Sequence, residues 1–490
     1  MLFSLPAFVR VFLNDMDFYT HVADKLIAGG LLYRDALDTK PPAIFLHYAL
    51  VFRWFGPDSL AAVKIVTIAF VALTAAGVAA LWRALMPRSG GGGAAAFLFV
   101  LASVCGWGED FLSSNTEVLA NLFLVWGVWA FAKDRFEGRP WWPALGGALM
   151  GIACLYRLQS AAALGACVLM ALAGPVRVRL TRVASAAAGF AATAVLFVAA
   201  WTTTGRAGDL VQWLQYGRYY LRSGEVYWPA LLAQTGVVLV SQAAFLLLAA
   251  WQVRCIVGQR SFSRANVFLL LLIACSLAAA GAGVRFFAHY YIQALPFVVI
   301  LATARVLEPA SASRAPLAGV RGAAEAFRRR APALIVAQAA IFAIVNAGFY
   351  FWTREPRNAY PDLVRFVQAR TSRADRIFVW TPRTHILFAM DRVFATRFIS
   401  NDFLVGRIYG TRHRLRSATA DSARDAAVPE LWPLLMHDLE AERPPLIIDD
   451  TPARSSFTID HYPELAAFVA RSYEPCHVVE SFCVYVRRKP

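Results

Sequence analysis

Charge is what this sequence has least of: 16% of its 490 residues are charged and 58% are hydrophobic, whereas soluble proteins run at about 25% charged and about 45–50% apolar. That balance excludes an ordinary water-soluble protein. Acids are the scarcer sign, 32 against 48 basic residues. The basic excess needs no nucleic-acid partner to explain it, because it sits in short links between apolar runs: Arg83 and Arg88; Lys133, Arg135 and Arg139; Arg177, Arg179 and Arg182; Arg254, Arg260 and Arg264; Arg314, Arg321 and Arg328 to Arg330. By the positive-inside rule such links are cytoplasmic.

Cysteine is sparse as well. Cys105, Cys154, Cys167, Cys255 and Cys275 lie in or beside apolar runs, where they read as small buried hydrophobes. Cys476 and Cys483 lie in the polar stretch CHVVESFCVYV, whose two alternating runs form a hairpin able to bring the sulfurs together. A disulfide there requires an oxidising compartment. The chain has no metal-ligand spacing and no Ser-His-Asp order, and Gly90 to Gly93 is not followed by the Lys-Ser/Thr of a phosphate-binding loop. Nucleotide-driven chemistry is therefore unsupported.

What the sequence has in quantity is apolar runs of membrane-crossing or nearly crossing length, at 59–82, 94–107, 117–133, 183–203, 229–253, 265–284, 287–307 and 331–352. A further run, Trp141 to Gly174, is too long for one span and is interrupted at Tyr156 to Gln159, so it reads as two short helices. The expectation is a mainly α polytopic transmembrane bundle of about ten or eleven spans (residues 1–352), followed by a small extracytoplasmic α/β domain (353–490). Met1 to Leu13 is too short to span and has no cleavage signal; it reads as the outer end of a helix or as following one absent from this start. With every basic link inside, the stretches 14–58, 106–116, 156–159, 205–228, 285–288 and 353–490 face outward. The tail carries one helical segment, Pro361 to Val367, and strand-like runs at Arg376 to Trp380 and Pro445 to Asp449.

The outward stretches hold the candidate chemistry. Asp15 and Asp17 stand at the mouth of the membrane body, where a carboxylate can take a proton from a hydroxyl nucleophile; spacing alone fits a solvated loop acid somewhat better. Lys40, fixed before Pro41-Pro42, can hold a phosphate or reach lipid headgroups. Glu109, Asp110 and Glu117 precede a hydrophobic helix, and Glu117, after Asn115 and Thr116, also suits a helix first turn. Arg157 is a charge at membrane depth, where a functional or paired role is the default. Arg285 and His289, four apart, share a face if a helix begins that early, and both could donate to a phosphate; Tyr290 and Tyr291 also fit an interfacial aromatic belt.

These residues resemble the bacterial GT-C glycosyltransferases related to protein O-mannosyltransferases and to the lipid A aminoarabinose transferase. The resemblance runs through Asp15 followed by Tyr19, Gly30-Leu31-Leu32-Tyr33-Arg34-Asp35, Lys40-Pro41-Pro42, Thr116-Glu117, Arg157-Leu158-Gln159 and His289-Tyr290-Tyr291 to Pro296, with a loose match to the end of the tail. It implies inverting transfer of a sugar from a polyprenyl-phosphate carrier to an acceptor hydroxyl of a glycan, lipid or protein. In that family an outer-loop acid is the general base, which Asp15 matches; Met16 interrupts the usual Asp-Glu pair, with Asp17 the next acid. Lys40 matches the family's lysine before Pro-Pro and Glu117 its second acid. The departing phosphate would fall to Lys40, Arg157 and Arg285 or His289, with Tyr19, Tyr33, Tyr290 and Tyr291 lining the substrate. The chemistry requires no cofactor, though some relatives use a divalent metal. Rival readings are a lipid-linked sugar flippase, which calls for broken helices in matching halves, and an oligosaccharide ligase with a diphosphate-linked donor.

Overall fold

The computed structural model describes residues 14–57, 59–87, 90–106, 111, 113–137, 139–173, 176–307, 321–352, 360–382, 384–414, 419–450 and 457–489. Met1 to Leu13, Arg88, Glu109, Asp110 and Arg314 lie outside these residues. The chain folds as two compact units. One gathers Leu60–Gly205 and Leu231–Trp352; the other gathers Phe12–Ser59, Arg206–Ala230 and Thr353–Pro490. The tail from residue 353 thus shares its unit with the two other longest stretches that the charge rule places outward, 14–58 and 205–228.

The first unit is helical, and its helices follow the apolar runs: Leu60–Leu85, Gly92–Val104, Thr116–Glu137, Trp141–Tyr156, Ala161–Leu172, Val176–Thr202, Ala243–Gly258, Arg264–Ala280, Leu295–Leu307 and Arg321–Trp352. Leu60–Leu85, Val178–Thr202 and Arg329–Gly348 are each long and apolar enough to cross a membrane. In lipid, helices associate through close packing of small residues rather than through hydrophobicity. Here a Cβ at Gly147 would collide with the carbonyl of Ala186, and one at Gly189 with the carbonyl of Ala144, so the helices Trp141–Tyr156 and Val176–Thr202 touch backbone to backbone.

Two breaks interrupt the apolar runs. Between Trp141–Tyr156 and Ala161–Leu172 the backbone is extended at Arg157. The run 229–253, expected as one span, is instead bent by 84° between Trp228–Ser241 and Ala243–Gly258. A break at membrane depth frees backbone groups that need new partners. Gln338 supplies them, its Oε1 accepting from the Ala244 N–H at 2.6 Å and its Nε2 donating to the Ser241 carbonyl at 2.8 Å.

The second unit contains a five-stranded mixed sheet: β1 (Arg376–Trp380), β2 (Val393–Phe394), β3 (Leu446–Asp449), β4 (His477–Val479) and β5 (Phe482–Val486), in the order β2-β1-β3-β5-β4. β1 runs parallel to β2 and β3, and β5 antiparallel to β3 and β4. β3 is buried along its whole length, as expected of a strand covered on both faces. The helix Pro361–Gln368 opens on a proline, whose fixed φ suits a first turn, and buries Leu363 and Val367. Trp380, Trp432 and Tyr462 form an aromatic cluster over the sheet, with ring centroids 5.1–5.8 Å apart. At the β4–β5 hairpin Cys476 and Cys483 are joined as a disulfide, their Cα atoms 5.4 Å apart.

Candidate functional site

The second unit brings together acids and a cation from its first two segments. Asp15 and Asp17 stand in the first turn of the helix Asn14–Ile27, where the dipole favours negative charge. One turn on, the buried Tyr19 directs its hydroxyl to Asp15 Oδ2 at 3.4 Å. Lys40 Nζ reaches Asp15 Oδ1 at 3.2 Å and lies 5.1 Å from the centre of the Tyr19 ring. Both charged side chains keep 28% of their surface exposed, so a ligand can reach them.

The Lys40 loop is fixed from several sides. Its N–H donates to Asp38 Oδ1 at 2.8 Å, and its carbonyl accepts from the Tyr33 hydroxyl at 2.8 Å. Tyr33 is in the left-handed region, φ 69°, an uncommon conformation for a tyrosine that marks a tight turn. Its ring stacks on Trp213, whose indole donates to the Thr39 carbonyl at 3.1 Å. Asp209 takes Arg34 at 3.1 Å and Arg206 at 2.8 Å, and Arg206 also donates to the Leu32 carbonyl at 2.9 Å. Pro42 then leads into the helix Ala43–Phe55.

Electrostatics separates the neighbouring acids. Asp17 is fully buried, and among the described residues neither carboxyl oxygen has a hydrogen-bond partner. Burial, with the charge of Asp15 beside it, pushes its pKa well above the usual carboxylate range. Burial likewise raises Asp38. At Lys40 burial opposes the charge, but the carboxylates of Asp15 and Asp38 outweigh it and hold the ammonium above its ordinary pKa.

The first unit holds a separate cluster. Glu117 occupies the first turn of Thr116–Glu137 and forms an ion pair with Arg157, their side chains only 1% and 5% exposed. Asn115 caps that turn, its Oδ1 accepting from the Val118 N–H at 3.1 Å, and the Thr116 hydroxyl donates to Glu117 at 2.8 Å. The Arg157 guanidinium also lies over the face of Tyr290 at 4.2 Å. Both expectations for these residues meet in one arrangement: Glu117 sits in a helix first turn, and the intramembrane charge of Arg157 is paired.

Arg285 and His289 do not share a helical face. Val284 and Phe286 have φ of 49° and 50°, and a 3-10 helix starts only at Ala288, so Arg285 precedes it in irregular, buried chain. The early helix start fails because left-handed residues on either side of Arg285 cannot continue a right-handed helix. Tyr290 packs edge-on against His289 at 4.9 Å, while the Tyr291 hydroxyl is 3.0 Å from Thr235 Oγ1. Two residues escaped the sequence reading. Asp38 is the buried acceptor beneath Lys40, and Lys64 is a lone cation inside an apolar helix, buried to 6% exposure. The signal for Lys64 was its charge in the run Ala62-Val63-Lys64-Ile65-Val66. Among the described residues no three His, Cys, Asp or Glu side chains gather as a metal set.

No family model and no curated protein matches the chain. Solved structures do. ArnT from Cupriavidus metallidurans bound to undecaprenyl phosphate superposes with a TM-score of 0.59 at 14% identity, covering 98% of this chain and 95% of that one. Its apo state gives 0.57 at 13% identity, with 97% and 93% covered. The apo Archaeoglobus fulgidus oligosaccharyltransferase gives 0.51 at 13% identity, with 98% of this chain and 71% of that one. At these identities the likeness is one of fold. The chain has the membrane fold of the GT-C glycosyltransferases, with a small C-terminal sheet.

Proposed function

We propose that this chain is an inverting glycosyltransferase that moves a sugar from a polyprenyl-phosphate carrier to an acceptor hydroxyl on the outer face of the cytoplasmic membrane. The observation that carries the proposal is the half-buried but accessible Asp15–Lys40 pair, a base and a phosphate-binding cation held 3.2 Å apart. A phosphate drawn to Lys40 competes for the ammonium and frees the Asp15 carboxylate. Asp15 then takes the acceptor's proton as its oxygen attacks the anomeric carbon, and the carrier phosphate leaves with the electron pair, stabilised by Lys40.

Asp17 is a poor base in this scheme, being fully buried with its carboxyl pushed well above the usual carboxylate range. Tyr19 and Tyr33 position the pair, one beside Asp15 and the other on the Lys40 carbonyl. Within the first unit the charge of Arg157 is neutralised by Glu117, which makes Arg157 a weak phosphate ligand. The undecaprenyl phosphate bound to the similar ArnT supports a lipid-phosphate carrier. The gathering of 14–58, 205–228 and 353–490 in one unit supports their common outward placement.

Purified chain in proteoliposomes, given sugars on polyprenyl monophosphate and on polyprenyl diphosphate, tests the proposal. Transfer from the monophosphate donor is expected. Transfer only from the diphosphate would make the chain an oligosaccharide-ligase type, and transfer from neither would overturn the enzymatic reading.

A further inference from the structure

The first unit contains a cavity of ≈ 140 Å³, headed by Lys64. One water needs about 10–15 Å³ of such space, so the cavity has room for a lipid headgroup or a length of chain. Lys64 is 6% exposed, and among the described residues its ammonium has neither a hydrogen bond nor an ion pair. An ionisable group at membrane depth is costly, and those that persist usually pair with something or mark a ligand path. Among the described residues the pairing is left to a ligand. Two further polar atoms at this site also lack partners among the described residues, Ser113 Oγ and Asn121 Oδ1. Thr67, one turn beyond Lys64, instead donates to Val63 and lies 2.8 Å from Ser114 Oγ.

The cavity is graded along one helix. Lys64 is the fifth residue of Leu60–Leu85, and Thr67, Ile68 and Val71 follow on the same stripe. At about 1.5 Å rise per residue, Val71 lies about 10 Å farther along the axis than Lys64. Lys64 and Ser113 lie toward the helix start, and the wall of that helix beyond Thr67 is apolar apart from Thr74, whose hydroxyl is turned back to the Phe70 carbonyl, which is the shape of a charged head with a chain behind it. A soluble anion has no use for that wall, and a neutral lipid leaves Lys64 uncompensated.

We propose that this cavity binds the phosphate of an anionic lipid, with Lys64 as its counter-ion and the lipid chain against Ile68 and Val71. The site lies wholly within the first unit and is independent of the Asp15–Lys40 reading. A prenyl phosphate and a bilayer glycerophospholipid share the required chemistry.

Equilibrium binding to the purified full-length chain in neutral detergent tests it, with radiolabelled farnesyl phosphate and dioctanoyl phosphatidylglycerol as separate probes and inorganic phosphate as competitor. Lys64→Gln removes the cation; Val71→Trp fills the chain end and leaves the cation in place. Each should weaken the tighter-binding probe about tenfold or more, as loss of a charge-assisted contact or of the chain's space requires. The probe that binds tighter identifies the source. All titrations are made in a Lys40→Ala background, so that the phosphate site of the proposed transfer does not contribute and a failure of transfer and a failure of this site are separable. Should Lys64→Gln not elute as a monodisperse protein, Val71→Trp decides alone. Undiminished affinity in either folded variant, or displacement of the lipid by an equal concentration of inorganic phosphate, would overturn the proposal.

Discussion

Lys40 closes on Asp15 across 25 residues of sequence, its ammonium 3.2 Å from the carboxylate and over the ring of Tyr19. A base and a phosphate ligand that begin as each other's partner are coupled: drawing one away releases the other.

Lys40→Ala is therefore expected to raise the KM for the lipid-linked donor by about tenfold or more while leaving the KM for the acceptor within about threefold, since a charge-assisted hydrogen bond to phosphate is worth about 1.5–3 kcal/mol. Steady-state kinetics with each substrate varied in turn reads the split. An equal rise in both constants would argue that Lys40 only shapes the loop.

The Glu117–Arg157 pair is predicted to be structural in energy. Removing one partner of a buried pair leaves an uncompensated charge and costs about 3–5 kcal/mol. Glu117→Gln and Arg157→Gln should each lower the thermal unfolding midpoint in detergent sharply, and the double substitution should recover much of the loss. Additive losses in the double variant would mean that the two side chains do not depend on each other.

How far these arrangements could be read from the sequence follows from their range. Asp15 and Tyr19, one helical turn apart, are a local pattern, and the apolar runs became helices because composition alone drives them into that form in lipid. Lys40 on Asp15 and Glu117 on Arg157 are long-range pairs that no periodicity announces. The helix expected from Arg285 fails on two left-handed residues that are not glycine, and the bend at Gln242 depends on Gln338 from a distant helix. In the tail, β1, β3 and the helix Pro361–Gln368 lie close to their sequence positions, whereas the joining of residues 12–59 and 206–230 to the tail's unit depends on packing that no local pattern encodes.

Acid should loosen the second unit through His21. Burial lowers its pKa from 6.5 to about 4, against the opposing effect of its bond to the Thr384 carbonyl at 3.1 Å. The unfolded chain therefore binds the proton first, and stability from this group, full above pH 6.5, falls as pH drops toward 4, by about 3 kcal/mol at most. Unfolding midpoints measured from pH 7 to pH 4 should decline, and His21→Gln should flatten the decline. An identical slope in the variant would assign the acid sensitivity to other groups.

Cys476 and Cys483 are expected to resist alkylation until a reductant is added, as their disulfide in the β4–β5 hairpin requires. Mass spectrometry of protein isolated under native conditions checks this. Labelling of both thiols without reductant would contradict it.

The central claim is that Asp15 is the general base, and turnover of Asp15→Asn beside Asp17→Asn tests it most directly. Reconstituted protein is given a radiolabelled polyprenyl-phosphate sugar and single turnovers are counted. The amide is nearly isosteric but cannot accept the acceptor's proton, so Asp15→Asn should lose about 10²–10⁴ in rate with the protein still folded. Burial pushes the Asp17 pKa well above the usual carboxylate range, so Asp17→Asn should turn over within a few-fold of the parent and be at least as stable at neutral pH, where the raised pKa makes ionisation a cost to the folded state. Near-normal turnover by Asp15→Asn with an inactive Asp17→Asn would move the base to Asp17, and normal turnover by both would contradict the mechanism.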